Sequence, residues 1–475
     1  MSDILLLHPA EYGKTFGGMP PLGMASITSF LQSKNISTAL VDLQISDCSV
    51  EQLLQQHKPQ VVGIGGTSHT RFVSFDIARQ VKKYDSAIRV IYGGPHATFT
   101  AENTLKNIPQ IDYIVRGEGE NTTYSLAVQL LSGKPEIENI RGISCRHNDV
   151  IVNHQEAERI KNLDLLPFPI RDHDALQKYN LLLDFVNIPA ASIISSRGCP
   201  INCSFCSASA MFGTQLTLRS AKNVVDEIEI LFKEYGYQGI KFFDSTLTLH
   251  KDHVEAICAE IQKRKLVFPW ECEIRVNGVS LDLLQTMKKA GCYYVDFGIE
   301  SASPRVLKEM HKGITVEQAE RVLRWTKDLG LYTKVFFTFG HIGETLDDAM
   351  KTVEFMDRYA KYIDLAAYSV SVRIYPGTEV EQSALAQGLL PKDFSWDRPY
   401  LDQKIEALGT DPIIPIVLQP QFGWKEFRKL ELRLTWFWLK HPQAALKAVW
   451  GQIRLGRIQI LAKLAYRFTL SLFGK

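Results

Sequence analysis

The chain has 475 residues, enough for two or three domains at roughly 150 residues each, and its 45% hydrophobic and 22% charged content excludes wholesale disorder and fibrous repeats. Its 54 basic and 52 acidic side chains leave a net charge of only +2, too little for the broad positive field of a nucleic-acid binder. No apolar run reaches the ~20 residues of a membrane span, Met1-Ser2-Asp3 does not open a secretory signal, and eight cysteines are too sparse for a disulfide framework, so a cytoplasmic protein with reduced thiols is expected.

Short β-branched runs at Asp3–His8, Ser37–Leu43, Val61–Gly66, Ile88–Gly93 and Ile111–Val115 alternate with helical spacing, which predicts a doubly wound parallel α/β sheet over residues 1–132. In such a sheet ligands sit beyond the carboxyl ends of the strands. Those ends carry Gly65-Gly66-Thr67-Ser68-His69, Gly93-Gly94-Pro95-His96 and Arg116-Gly117-Glu118-Gly119-Glu120. Any one of these glycines is what a tight β-to-α turn demands; several on one edge point to a ligand approached closely by backbone. Residues 133–190, with Pro135, Pro167 and Pro169, read as a linker carrying a small hairpin.

A second alternating series begins at Ala191, with strands expected at Ser192–Ser196, Gly239–Asp244, Trp270–Val276, Tyr293–Glu300, Tyr332–Gly340 and Ala366–Ile374. Six βα repeats are too few for a closed eight-stranded barrel, so residues 191–385 are assigned to a partial (βα)6 barrel and 386–475 to a C-terminal helical segment. Directly after the first of these strands come Cys199, Cys203 and Cys206, within Arg197-Gly198-Cys199-Pro200-Ile201-Asn202-Cys203-Ser204-Phe205-Cys206. A structural zinc site wants a fourth ligand at similar spacing, and the remaining cysteines are isolated. Three thiolates on one loop suit a [4Fe–4S] cluster with one iron left open.

A Cys-x-x-x-Cys-x-x-Cys loop in this position resembles the radical S-adenosylmethionine (SAM) superfamily. The resemblance implies that Phe205 packs near adenine and that Asp244 receives the SAM amino group. It also implies Glu300, in Phe297-Gly298-Ile299-Glu300-Ser301, at the ribose and Gly340 in an adenine-side loop, although Ile342 stands where the family usually has proline. Arg275, alternating with Glu273, is either a fork for the SAM carboxylate or part of a structural ion pair. With the doubly wound domain ahead of it, the chain resembles the cobalamin-binding branch, which includes methylases and the anaerobic magnesium-protoporphyrin ester cyclases. That resemblance implies cobalamin at the edge formed by Gly65, Thr67, Ser68, Gly93, Gly94, Gly117 and Glu118. The Asp-x-His-x-x-Gly string of cobalamin mutases is missing, so base-off binding without a cobalt histidine is expected.

The function expected is methylation of an unactivated carbon in a small-molecule or lipid-like substrate, with an electron from a flavodoxin- or ferredoxin-type donor. The alternatives are an oxidative cyclase or rearrangement enzyme without methyl transfer, and a non-catalytic corrinoid or iron–sulfur sensor. After Glu431 no acidic residue occurs, while Lys447, Arg454, Lys463 and Arg467 accompany apolar residues at helical spacing. This stretch is either an amphipathic helix at the inner membrane face or a terminal helix packed on the barrel. The aromatic groups at Phe394-Ser395-Trp396 and Trp436-Phe437-Trp438 either line an apolar pocket or belong to the core.

Overall fold

The computed structural model describes residues 2–10 and 19–442 apart from 134, 175–177, 180, 401–412 and 417, together with residues 446 and 449. The strands, in chain order, are β1 (Ile4–His8), β2 (Thr38–Asp42), β3 (Val61–Gly65), β4 (Arg89–Gly93), β5 (Tyr113–Val115), β6 (Ile143–His147) and β7 (Val150–Asn153), followed by β8 (Ala190–Ile193), β9 (Ser196–Arg197), β10 (Thr217–Leu218), β11 (Gly239–Phe242), β12 (Trp270–Glu273), β13 (Cys292–Glu300), β14 (Tyr332–Thr338) and β15 (Leu365–Ser369).

The first seven form one sheet in the order β2-β1-β3-β4-β5-β6-β7. Strands β1 to β5 pair in parallel, as the alternation with helices predicts, because a parallel neighbour needs a crossover. The hairpin expected between residues 133 and 190 is β6–β7, and it extends the sheet antiparallel to β5. Leu5, Leu7, Val62, Ile64 and Val90 pack under helices on one face, while Ile4, Leu6, Val61 and Ile91 pack on the other. Strand order reverses between β1 and β3, which puts a crevice beyond His8 and Gly65.

The second sheet has six parallel strands in the order β15-β14-β13-β12-β11-β8, an open barrel. Its alternation sorts two environments. Phe242, Trp270, Cys272, Val295, Phe297 and Val335 pack outward against the helices. Lys241, Glu271, Glu273, Tyr294 and Asp296 face inward and line a small cavity with Phe243. The inner wall is therefore charged.

The expected strand Ala366–Ile374 ends at Ser369, and the first barrel strand ends at Ile193 rather than Ser196. The helix Trp424–Lys440 packs onto the barrel through Phe427, Leu430, Leu434 and Phe437. Trp396 is buried against the His96 ring, with centroids 5.7 Å apart, and Trp438 donates to the Tyr368 hydroxyl at 3.1 Å, so both belong to packed interior, whereas Trp436 is exposed. Most of the basic C-terminal stretch lies outside the described residues. No described helix is long and apolar enough to cross a membrane.

Candidate active site

Parallel strands deliver their carboxyl ends to one rim, and the cysteine loop leaves that rim at the end of β8. Its first residues are pinned from below. Asp244, two residues past β11, accepts from the Ser195 backbone N–H at 3.1 Å, Ser195 Oγ at 2.9 Å and Ser196 Oγ at 2.5 Å. Ser195 Oγ also lies 3.0 Å from His253 Nε2. Burial raises the Asp244 pKa despite these donors. Asp244 thus anchors the loop: Oδ1 takes both hydroxyls, while Oδ2 accepts only the shared Ser195 N–H at 3.1 Å.

Cys199 and Cys203 are buried, Cys206 is exposed, and all three are free thiols. Desolvation of the sulfur, which holds for Cys206 although the residue as a whole is exposed, and then the neighbouring thiols push Cys199 and Cys206 above the usual thiol range; Lys312 opposes this at both, and Arg275 opposes it at Cys199. Among the described residues no three His, Cys, Asp or Glu side chains are gathered tightly enough to form a ready-made metal cage. What fits an iron–sulfur cluster is the donor chemistry, three thiols on one short loop with cations beside them. The loop is further tied by Ser204, whose N–H donates to Met310 O at 3.0 Å and whose Oγ lies 3.1 Å from His341 Nε2. Phe205 is partly buried against Val372, Ile374 and Val380.

Strand β13 ends in a register shift between Gly298 and Glu300 that turns the Glu300 side chain back, with its backbone at φ +65°. A left-handed glutamate costs about 1–3 kcal/mol and persists only when surrounded by fixed partners. Here Lys312 Nζ donates to Oε1 at 2.9 Å and Thr338 Oγ1 to Oε2 at 2.8 Å. Glycine at 298 leaves room for this pair: a Cβ there would lie 2.1 Å from Glu300 Oε1 and force the carboxylate to move. Lys312 Nζ also stands 5.5 Å from the Phe205 ring centroid. The sequence reading missed Lys312, a lone lysine on a turn whose partners come from other elements.

Arg275, also buried, donates through Nε to Asn277 Oδ1 at 2.8 Å, while its Nη2 has no hydrogen-bond partner among the described residues. An orphaned guanidinium nitrogen beside the cysteine loop suits a ligand carboxylate. Gly340, at φ +66°, lies in the rim loop after β14, and its carbonyl and that of His341 accept from Gln419 Nε2 at 3.3 and 2.9 Å.

Glu344, in the same loop, accepts from the His341 N–H at 2.9 Å through one oxygen while the other is buried without a partner. Burial pushes its pKa from 4.5 up to about 8. The folded state therefore holds a proton that the unfolded chain releases near pH 4.5, so this group's contribution to stability falls as pH rises from there to about 8. The slope approaches, as an upper limit, about 1.4 kcal/mol per pH unit. Glu344→Gln is expected to flatten that slope and to melt higher than the wild type above pH 8, measured by calorimetry of the metal-free proteins from pH 5 to 9. Identical slopes would remove Glu344 as the source.

On the N-terminal edge the glycines divide. A Cβ on Gly65 would meet Met24 Sδ at 2.4 Å, and one on Gly94, at φ +103°, would meet Gly66 O at 2.5 Å, so these serve close packing of the chain on itself. Gly93 is less crowded, with its nearest neighbour at 3.7 Å, while Gly23 and Gly117 face open space, Gly117 at φ +73°. Thr67 caps locally, its N–H donating to Thr70 Oγ1 at 3.0 Å, and Ser68 Oγ is buried 3.0 Å from His96 Nδ1. Both Glu118 oxygens have a partner within the chain: Oε1 pairs with Arg197 at 2.8 Å and Oε2 accepts from the Ile160 N–H at 2.8 Å. Glu118 thereby joins the two halves of the chain at the edge where the cofactor is expected. The open edge at Gly23, Gly93 and Gly117 still fits the close approach of a large flat ligand.

Two family models match the chain, the radical SAM superfamily over residues 193–356 and the B12-binding domain over residues 13–127. An uncharacterized methyltransferase of Pyrococcus horikoshii, PH0819, is 35% identical, with the match covering 82% of this chain and 84% of that protein. The anaerobic magnesium-protoporphyrin IX monomethyl ester cyclase of Rubrivivax gelatinosus is 29% identical, over 74% of this chain and 64% of the cyclase. Among solved structures, OxsB, a cobalamin-dependent SAM radical enzyme with aqua-cobalamin bound, superposes with a TM-score of 0.76 at 16% identity, covering 100% of this chain and 72% of OxsB, which speaks to the fold. The expected α/β architecture is thereby borne out, and the sensor reading gives way. The chain belongs to the cobalamin-binding branch of the radical SAM enzymes, with a [4Fe–4S] cluster, SAM and cobalamin as its cofactors.

Proposed function

We propose that this enzyme transfers a methyl group to an unactivated carbon of a polar small molecule. The single observation that carries the site is the buried, unpartnered Arg275 Nη2 beside three free thiols on one rim loop. When bound, the cluster supplies the single electron that cleaves SAM, and the corrinoid supplies a transferable methyl group.

The chain's own residues do the rest. Cys199, Cys203 and Cys206 hold the cluster at the rim. Arg275 takes the SAM carboxylate, Glu300 the ribose, and Phe205 and the Gly340 loop the adenine side. Gly93 and Gly117, the uncrowded glycines of the N-terminal edge, would border the corrinoid. Lys241, Glu271, Glu273 and Asp296 on the inner barrel wall favour a substrate with polar groups over a purely apolar lipid. Burial raises the Asp296 pKa to about 6, with Lys334 opposing it, so this inner-wall carboxyl changes charge near neutrality.

The likeness to the Pyrococcus methyltransferase supports methylation, and the likeness to the cyclase supports a second reading, oxidation without methyl transfer. The two separate in one experiment. Anaerobically reconstituted protein is incubated with strong reductant and SAM carrying a trideuterated methyl group, and the extracted corrinoid is weighed by mass spectrometry. Trideuterated methylcobalamin is the expected result. Formation of 5′-deoxyadenosine with no label on the corrinoid would put the oxidative reading first.

A further inference from the structure

We propose that Arg197, clamped by Glu118 and Glu120, is a positioning residue that fixes the cluster loop relative to the cobalamin-binding edge. Its Nη1 donates to Glu118 Oε1 at 2.8 Å and its Nη2 to Glu120 Oε1 at 2.6 Å, a fork divided between two carboxylates. Glu120 Oε1 also accepts from Ser26 Oγ at 2.8 Å, which brings in the helix Leu22–Ser33. Four side chains thus tie three segments together: that helix, the turn after β5, and the strand that leads into the cysteines.

The placement argues for more than adhesion. Arg197 stands two residues before Cys199, and Glu118 and Glu120 flank the start of the helix Gly119–Leu131, next to Gly117, which faces open space. Between Arg197 and Cys199 there is no slack. Gly198 adopts φ +102°, and a Cβ there would lie 2.2 Å from the Gln215 carbonyl oxygen. Asp244 holds Ser195 and Ser196 from the barrel side. The residues entering the cluster loop are therefore fixed by the barrel below and by the N-terminal domain beside them. A shift of the β5 edge is carried into the cysteine loop instead of being absorbed by flexible chain.

Side-chain exposures of 17% for Arg197, 7% for Glu118 and 4% for Glu120 keep the clamp out of reach of solvent screening. Two cofactors that must act on one substrate need this rigidity, because a misplacement of about 1 Å can cost ~100-fold in rate. The inference rests on the presence of both cofactors and is independent of whether a methyl group is transferred.

The test uses full-length protein reconstituted with iron, sulfide and hydroxocobalamin, as wild type and as Arg197→Lys, Glu120→Gln and Glu118→Gln. Glu118→Gln leaves Arg197 its contacts with Glu120 and guards against a variant that only fails to fold. Iron and corrinoid stoichiometry and thermal melting are measured first, then the EPR power saturation of cob(II)alamin with the cluster reduced, which reads the magnetic coupling between the two centres. The expected result is wild-type cofactor content with shifted saturation, larger in Arg197→Lys and Glu120→Gln than in Glu118→Gln. Unchanged saturation at full occupancy, even with a lowered melting temperature, would make the clamp structural only and overturn the proposal. Selective loss of one cofactor from a folded variant would overturn it too, by making these residues ligand contacts. A wild type that retains no corrinoid would instead strike at the two-cofactor assignment itself.

Discussion

Replacing Cys199, Cys203 or Cys206 with serine is expected to reduce SAM cleavage to the level of a control without enzyme. The three act as one donor set. A serine hydroxyl is a hard, protonated ligand at neutral pH, and a cluster held by two thiolates has lost a bond that no neighbour replaces, since the other cysteines of the second half, Cys258, Cys272 and Cys292, are buried in the barrel core. Each variant is therefore expected to lose the broad visible absorbance of the cluster together with its iron. Corrinoid retention is expected to persist, because the N-terminal sheet has its own packed cores on both faces. Cys48 supplies the control: it is exposed and remote in sequence from the loop, so Cys48→Ser should match the wild type in iron, absorbance and 5′-deoxyadenosine formation. Full cleavage activity in any one of the three loop variants would remove that cysteine from the ligand set.

These cysteines were legible because their information is local. Spacing alone places three thiols on one loop, and period-two alternation alone separates the strands from the helices around them. The same alternation marks the inner wall, where Lys241, Glu271, Glu273 and Asp296 interrupt apolar positions that pack outward. What sequence cannot carry is the partner of a polar residue. Asp244 and Glu118 stand out in the sequence as polar groups at strand ends, and within the fold their hydrogen bonds go to Ser195 and Ser196 in one case and to Arg197, 79 positions away, in the other. A motif identifies a residue that must be satisfied, and only the fold identifies what satisfies it. The glycines show the same division. Gly94 is needed because Gly66 O lies where its Cβ would be, whereas Gly117 is open, and nothing in the two sequences Gly-Gly-Pro-His and Gly-Glu-Gly-Glu distinguishes the cases.

Lys312 is the clearest residue of this kind, and its removal is the second large effect expected. In Lys312→Met, Glu300 keeps only Thr338 as a side-chain partner while its backbone stays left-handed. The pair is buried, at 11% and 10% side-chain exposure, so breaking it from one side is expected to cost roughly 3–5 kcal/mol of stability. SAM affinity should fall as well, because Glu300 is the proposed ribose contact and Lys312 fixes its direction; a loss of about tenfold corresponds to ~1.4 kcal/mol. Stability and binding come apart in the double variant. Lys312→Met with Glu300→Gln leaves no unpaired charge in the fold, so melting should recover most of its loss. SAM binding, measured by anaerobic equilibrium dialysis on cluster-loaded protein, should stay weak because the carboxylate is gone. Recovery of both quantities together would mean that Glu300 serves the fold alone and that ribose is held elsewhere, while wild-type affinity in Lys312→Met would separate the ion pair from SAM binding altogether.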